Sequence, residues 1–213
     1  MKIRLFQYIS STRVAGPGKR ACIQVQGCPI RCRGCAVPQT WSTKRGSTVT
    51  VEYLMQRLIV EQAIEGITFL GGEPFAQAAS LARLGEQAHE RGLSVVTFSG
   101  YTLEYIKSKK RDDFAALLKA TDLLIDGPFC RDELDVSRPW VGSKNQRFHF
   151  LTDRYDSSAL KSDAAPNKLE VRIKPDGRVF INGLAPYEDL KGLVENESLV
   201  VLPTTQTKTL DKV

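Results

Sequence analysis

The sequence holds no run of about 18 consecutive apolar residues, so it offers no membrane-spanning helix. Its opening residues, Met1-Lys2-Ile3-Arg4-Leu5-Phe6, lack the long apolar core of a signal peptide. No internal repeat or low-complexity block interrupts it. Histidine is scarce, at two residues, and cysteine stops at five. Three of those cysteines sit together, and the other candidate ligands, Cys22, Cys130, His89 and His149, form no second ligand pair. A structural zinc usually needs such a pair, so its absence argues against one. The clustered trio also argues against a disulfide framework and for a reducing compartment, read here as the cytoplasm.

With 213 residues and 42% hydrophobic content, the chain fits one globular domain with a substantial core. The expected domain runs over residues 1–203, followed by a polar, frayed tail at 204–213. The net charge of +6 is modest. Solvated helix faces account for it, and no nucleic-acid partner is expected. The run Lys107-Ser108-Lys109-Lys110-Arg111 reads as a helix end, where cations meet the helix dipole favourably.

Strand-like and helix-like stretches alternate, the signature of βα units around a parallel sheet. Strands are expected at Ala21–Gln26, Ile67–Leu70, Leu93–Phe98, Leu123–Asp126 and Arg147–Thr152. Helices are expected at Val51–Ala63, with Leu54, Leu58 and Ile59 on one face, at Phe75–Arg91 with Gly92 as its stop, and at Leu103–Ala120. Pro175-Asp176-Gly177 reads as a turn between Leu169–Ile173 and Arg178–Asn182, either a hairpin or a final barrel strand with an edge partner. Asp153–Asn167 reads as a loop. The fold class is α/β, a partial (β/α)6 barrel, since a full eight-unit barrel needs about 250 residues. Chemistry in such barrels sits at the C-terminal strand ends. The Cys28 loop, Gly71-Gly72-Glu73-Pro74, Ser99-Gly100 and Asp126 all follow strands.

The trio is Cys28, Cys32 and Cys35, spaced C-x3-C-x2-C within Gly27-Cys28-Pro29-Ile30-Arg31-Cys32-Arg33-Gly34-Cys35. Thiolates select zinc, copper(I) or iron–sulfur clusters. Three ligands leave one position open for chemistry. On a four-iron cubane they leave one iron free for a substrate or cofactor.

This spacing resembles the cluster loop of the radical S-adenosylmethionine (SAM) superfamily. Gly71-Gly72-Glu73-Pro74 after Ile67–Leu70 resembles that superfamily's second-strand motif. Leu123–Phe129 resembles the fourth-strand motif of activating enzymes for glycyl-radical proteins. Gly27-Cys28-Pro29, Gly34-Cys35 and Trp41 resemble the activases of anaerobic ribonucleotide reductase most closely. Ala36 and Val37 depart from the pattern, standing where those relatives often carry an aromatic residue or His, then Asn.

The resemblance, spanning roughly Val14 to Phe150, implies a [4Fe-4S] cluster on Cys28, Cys32 and Cys35 whose fourth iron chelates SAM. Reductive cleavage would then give a 5′-deoxyadenosyl radical that takes hydrogen from a glycine of a partner protein. Flavodoxin or ferredoxin would supply the electron. Gly71, Gly72, Glu73 and Pro74 would bind the SAM amino group, and Thr97 and Ser99 its ribose or carboxylate. Asp126 would help form a monovalent-cation site. The bland alternatives are a strand-to-helix turn at Glu73, a helix cap at Ser99 and a hydrogen-bonded turn after Asp126. Arg138–Arg147 reads as a partner-contacting or covering loop, or as a connection with Trp140 tucked inward. Cys22 and Cys130 read as buried small hydrophobes, His89 as a surface residue, and His149 as a proton donor or core residue. The absence of cysteines after Cys130 argues against subfamilies with auxiliary clusters that modify peptides. Two other functions stay open: a radical SAM enzyme for a small molecule or peptide, and a non-catalytic metal-binding module.

Overall fold

Apolar alternation in the first dozen residues builds a strand that the sequence reading passed over. In the computed structural model, β1 (Lys2–Thr12) runs antiparallel to β2 (Arg20–Val25), and β3 (Ser47–Thr50) pairs with its outer edge. The structure describes residues 1–61, 63–161, 169–173, 176–177 and 179–184. Next come α1 (Val51–Val60), β4 (Gly66–Gly71), α2 (Ala78–His89), β5 (Ser94–Phe98), α3 (Leu103–Ser108), α4 (Asp112–Lys119), β6 (Leu123–Asp126) and β7 (Arg147–Phe150). These strands form one seven-stranded sheet in the order β3-β1-β2-β4-β5-β6-β7.

Strands β2, β4, β5 and β6 are parallel, each step crossing through helix. β7 is antiparallel to β6. The six βα units expected are therefore four parallel strands among the described residues. The reason lies in the β6–β7 connection, which carries only a short 3-10 turn at Arg131–Glu133. The connection is long enough for a crossover but forms no α-helix, which is the usual carrier of a parallel return across a sheet.

Two further boundaries shift. The helix expected over Leu103–Ala120 breaks at Lys110, which takes a left-handed φ of 48°. Ile59 is 58% exposed, while Leu54 and Leu58 are buried; five residues turn a helix about 140° past a full revolution, so Ile59 leaves the face. The other elements fall where periodicity placed them. Leu81, Leu84 and Ala88 are buried, and Gly92 follows the end of α2 with φ 73°.

Alternation along the strands gives the sheet two different faces. Ile23, Val25, Ile67, Phe69, Val95 and Leu124 pack against Leu54, Leu58, Leu81, Leu84, Phe114 and Leu117 of the helices. On the opposite face Val96, Leu123 and Ile125 form a smaller cluster with Val141, flanked by Phe98, Trp140 and Phe148. The expected hairpin is present as a separate two-stranded sheet, β8 (Leu169–Ile173) with β9 (Val179–Gly183). It meets the end of β1 through Glu170 and Asn182 on Thr12 and Arg172 on the Ser11 carbonyl. Residues 185–213, including the tail expected at 204–213, lie outside the described residues. Among the described residues no helix is long and apolar enough to cross a membrane.

Candidate metal centre

The cysteine loop begins where β2 ends, and its base is strapped down. Gly27 turns with φ 102° and donates its N–H to the Thr40 carbonyl at 2.7 Å. The Cys28 N–H reaches the Trp41 carbonyl at 3.2 Å. The Gln26 amide donates to the carbonyls of Gln39 and Ser42 at 3.0 and 2.7 Å. Within the loop, Arg31 (φ 53°) and Gly34 (φ 82°) take left-handed conformations, and the Cys35 N–H closes onto the Cys32 carbonyl at 3.1 Å. All three cysteines are half-buried.

Backbone N–H groups serve two of the sulfurs. Burial pushes the Cys28 thiol up, and hydrogen bonds from the Arg31 and Ile30 backbone oppose that rise. Burial raises the Cys32 thiol too, against a backbone hydrogen bond from Phe129. Donors of this kind stabilise thiolate and tune iron–sulfur potentials. Among the described residues no three His, Cys, Asp or Glu side chains converge as ligands of a single ion. A four-iron cluster makes no such demand, because each thiolate binds a different iron. Three thiols in one loop, two of them with backbone N–H donors, suit an iron–sulfur cluster.

The Gly71–Pro74 stretch lies against this loop. The Gly72 N–H bonds the Val25 carbonyl at 2.8 Å, and the Glu73 N–H bonds the Gly27 carbonyl at 2.9 Å. A Cβ on Gly72 would strike the Gly27 carbonyl oxygen, and one on Gly71 (φ 100°) would crowd the Val25 backbone. The glycines are thus required where the chain passes the root of the cysteine loop. Gly72→Ala should cost about 1–3 kcal/mol through backbone displacement and lower iron uptake on reconstitution. Wild-type iron content at wild-type stability would contradict this.

Glu73 is fully buried, and its carboxylate gathers the strand ends. It accepts from the Phe75 N–H and the Ser99 hydroxyl at 2.9 Å each, and from the Gly100 N–H at 2.9 Å. Gly100 in turn has Ile30 of the cysteine loop so close that a Cβ there would clash. Glu73 therefore ties β4, β5 and the loop into one rim. Burial pushes its carboxyl up to about 7 despite the three donors. Between the unfolded value of 4.5 and about 7 the folded chain holds the extra proton, so stability falls as pH rises through that window. The metal-free chain should lose up to about 3 kcal/mol between pH 4.5 and 7, read by urea melts. Glu73→Gln should flatten that dependence, and an unchanged slope would refute it.

Two of the expected contact residues face the helices. Thr97 is fully buried on the helix side of β5, where its hydroxyl pairs with Thr121 at 2.8 Å. Asp126 is also fully buried and faces the helices, because it shares that side of β6 with Leu124. Its carboxylate accepts from the Leu103 N–H at 2.6 Å and from Arg147 Nε and Nη2 at 3.1 and 2.7 Å. The cation beside Asp126 is a guanidinium, which Glu104 also holds at 2.7 Å. His149 Nε2 lies 3.1 Å from Asp126 Oδ2 but is not aligned to bond it.

Residues 14–149 match the family described as a 4Fe-4S single cluster domain. The anaerobic ribonucleoside-triphosphate reductase-activating protein of Vibrio cholerae is 30% identical over 156 residues, covering 68% of this chain and 97% of the relative. The chain belongs to this family of reductase-activating proteins. The namesake of Enterobacteria phage T4 is 30% identical over 146 residues, covering 66% of this chain and 89% of its own. QueE from Escherichia coli overlaps at TM-score 0.41 and 20% identity, over 48% of this chain and 54% of that one, too partially to argue from.

The activating-protein domain is finished by groups with structural duties. Arg138 binds Asp135 and the carbonyls of Ser143, Lys144 and Gln146, and Trp140 packs edge-on to Phe148. Cys22 is fully buried, and burial pushes its thiol up to about 12, so it is inert. Cys130 is half-buried, with its N–H on the Ser143 hydroxyl. His89 is held by Asp122 at 2.9 Å. Sequence reasoning missed Arg20, Arg147 and Gln26. A charge at the head of an apolar strand, next to Gly16-Pro17-Gly18, was the one available signal for Arg20.

Proposed function

We propose that the chain is a radical SAM activating enzyme that generates a glycyl radical in a large partner protein. The observation that carries this reading is the cysteine loop, with N–H groups on its sulfurs, docked by Gly27 and Ile30 onto the Gly71–Pro74 and Ser99–Gly100 strand ends. Cys28, Cys32 and Cys35 would hold three irons of a [4Fe-4S] cluster and leave the fourth open for SAM. When bound and reduced, such a cluster would supply the electron for cleaving SAM to methionine and a 5′-deoxyadenosyl radical, which would take a hydrogen atom from a glycine.

The chain's own part is orientation and exclusion of water. The backbone from Gly71 to Pro74 lines the rim nearest the loop and offers polar groups to the SAM amino group. Glu73 holds Ser99 and Gly100 at a fixed distance from that backbone. The helix-free face, carrying Gln24, Leu70, Phe98 and Ile125 by alternation, forms the concave side of an open partial barrel, and the domain extends over residues 1–203. Arg147 takes the place of a monovalent cation beside Asp126. A flavodoxin or ferredoxin delivers the electron, and the thiol loop works in the reducing cytoplasm.

The test is anaerobic reconstitution with iron and sulfide, reduction, and addition of SAM with the encoded anaerobic reductase. Formation of 5′-deoxyadenosine together with a glycyl-radical EPR doublet is expected. Active SAM cleavage with no radical on the reductase would overturn the assignment.

A further inference from the structure

The chain contains two tryptophans, and they are used differently. Trp140 packs with the second apolar cluster beside Phe148. Trp41 belongs to neither apolar cluster. Its carbonyl receives the Cys28 N–H at 3.2 Å, which places the residue at the root of the cysteine loop. The flanking carbonyls, of Thr40 and Ser42, are held by Gly27 and by the Gln26 amide, so the position is rigid. The indole N–H is buried and has no acceptor. An indole nitrogen only donates, and a buried donor without a partner is costly. A buried, unpaired donor on a residue whose backbone is tied to Cys28 has a natural complement once a cluster is bound: sulfur carrying negative charge.

We propose that the Trp41 indole N–H donates a hydrogen bond to the iron–sulfur cluster, to a sulfide or a cysteine sulfur, and so sets its reduction potential. The proposal rests on the cluster assignment above. One-electron reduction adds negative charge to the cluster, and a donor aimed at its sulfur stabilises the reduced form more than the oxidised one. Trp41 is thus a tuning residue that makes the cluster easier to reduce.

The experiment uses the full chain, reconstituted and checked for iron, sulfide and a [4Fe-4S] EPR signal. In Trp140→Phe, which leaves Trp41 as the sole indole, the ultraviolet resonance Raman band that reports indole N–H bonding is compared before and after cluster loading. It should move toward the hydrogen-bonded position. In Trp41→Phe, an EPR-monitored redox titration should show about tenfold less reduced cluster at a fixed potential, equal to about 59 mV for one electron. A band that does not move, or a Trp41→Phe cluster that titrates at the wild-type potential, overturns the inference while leaving the enzyme assignment intact. Failure of the wild-type chain to load a four-iron cluster removes both. The Raman arm leaves Trp41 unaltered, so a poorly folding Trp41→Phe would not decide the matter.

Discussion

Cys32→Ala abolishes cluster assembly and SAM cleavage while leaving the metal-free fold standing. Cys32 is half-buried in the loop, packs into neither apolar cluster and receives a backbone hydrogen bond from Phe129, so its removal opens no large cavity. The metal-free stability should therefore stay within about 1 kcal/mol of wild type. A cubane with only two protein thiolates loses a ligand bond, and metal–ligand bonding is the largest local energy in such a site. Iron content after reconstitution should fall severalfold or more, and 5′-deoxyadenosine production should fall by at least about three orders of magnitude, to background, since the chemistry belongs to the cluster. Cys22→Ala and Cys130→Ala serve as controls and should keep cluster and cleavage. A Cys32→Ala chain that still cleaves SAM would exclude the three-cysteine assignment, and loss in Cys130→Ala would enlarge the ligand set.

Arg20→Met should bring the largest loss of stability in the chain. Arg20 is fully buried at the start of β2, with no carboxylate among its direct hydrogen-bond partners. Its guanidinium donates to Thr68 Oγ1 at 2.9 Å, to the carbonyls of Pro17, Ile67 and Ser94 at 2.8, 2.7 and 3.0 Å, and to the hydroxyls of Ser94 and Tyr155 at 3.0 Å each. Burial lowers its pKa, with Tyr155 opposing. Gly66 is required beside it, since a Cβ there would meet Arg20 Nη2 at 2.5 Å. The group joins the N-terminal ends of β2, β4 and β5, opposite the cysteine loop. Methionine fills much of the volume but leaves several buried acceptors unpaired, at about 1–3 kcal/mol each where water cannot reach. A net loss of about 3–5 kcal/mol is expected, in the range for removing one partner from a buried charged network. Urea melts of the metal-free chain should show the midpoint falling by about 2 M with little change in slope. A loss below about 1 kcal/mol would mean that water replaces the guanidinium.

Much of the domain was legible from local pattern. Period-2 alternation located β2, short apolar stretches located β4, β5 and β6, and the 3.6 period located α2 and the buried side of α1. Pro175-Asp176-Gly177 announced the hairpin, whose Gly177 takes φ 81°. The reading failed where a residue's neighbours are distant in sequence. β7 looked like one more parallel strand, yet the connection before it has no helix to carry it across the sheet. The Lys107–Arg111 run marked a true helix end, but not that α4 resumes immediately after it.

The cysteine spacing by itself marked the loop as a set of thiolate ligands, because three thiols within eight residues are neighbours in sequence, while zinc, copper(I) and iron–sulfur stayed open until the family resemblance was added. The order of strand-end motifs likewise determined which end of the sheet carries the site. Only the tertiary structure decided which side of the sheet each strand residue faces. It turned Thr97 and Asp126 toward the helices, gave Asp126 the guanidinium of Arg147 as its counter-charge, and made Glu73 the tie between two strand ends and the cysteine loop. It also left the indole N–H of Trp41, a residue whose backbone is tied to Cys28, buried and unpaired. Spacing governs ligands that are neighbours in sequence. Buried charges and hydrogen-bond donors are satisfied across the sheet, by partners that only the folded chain brings within reach.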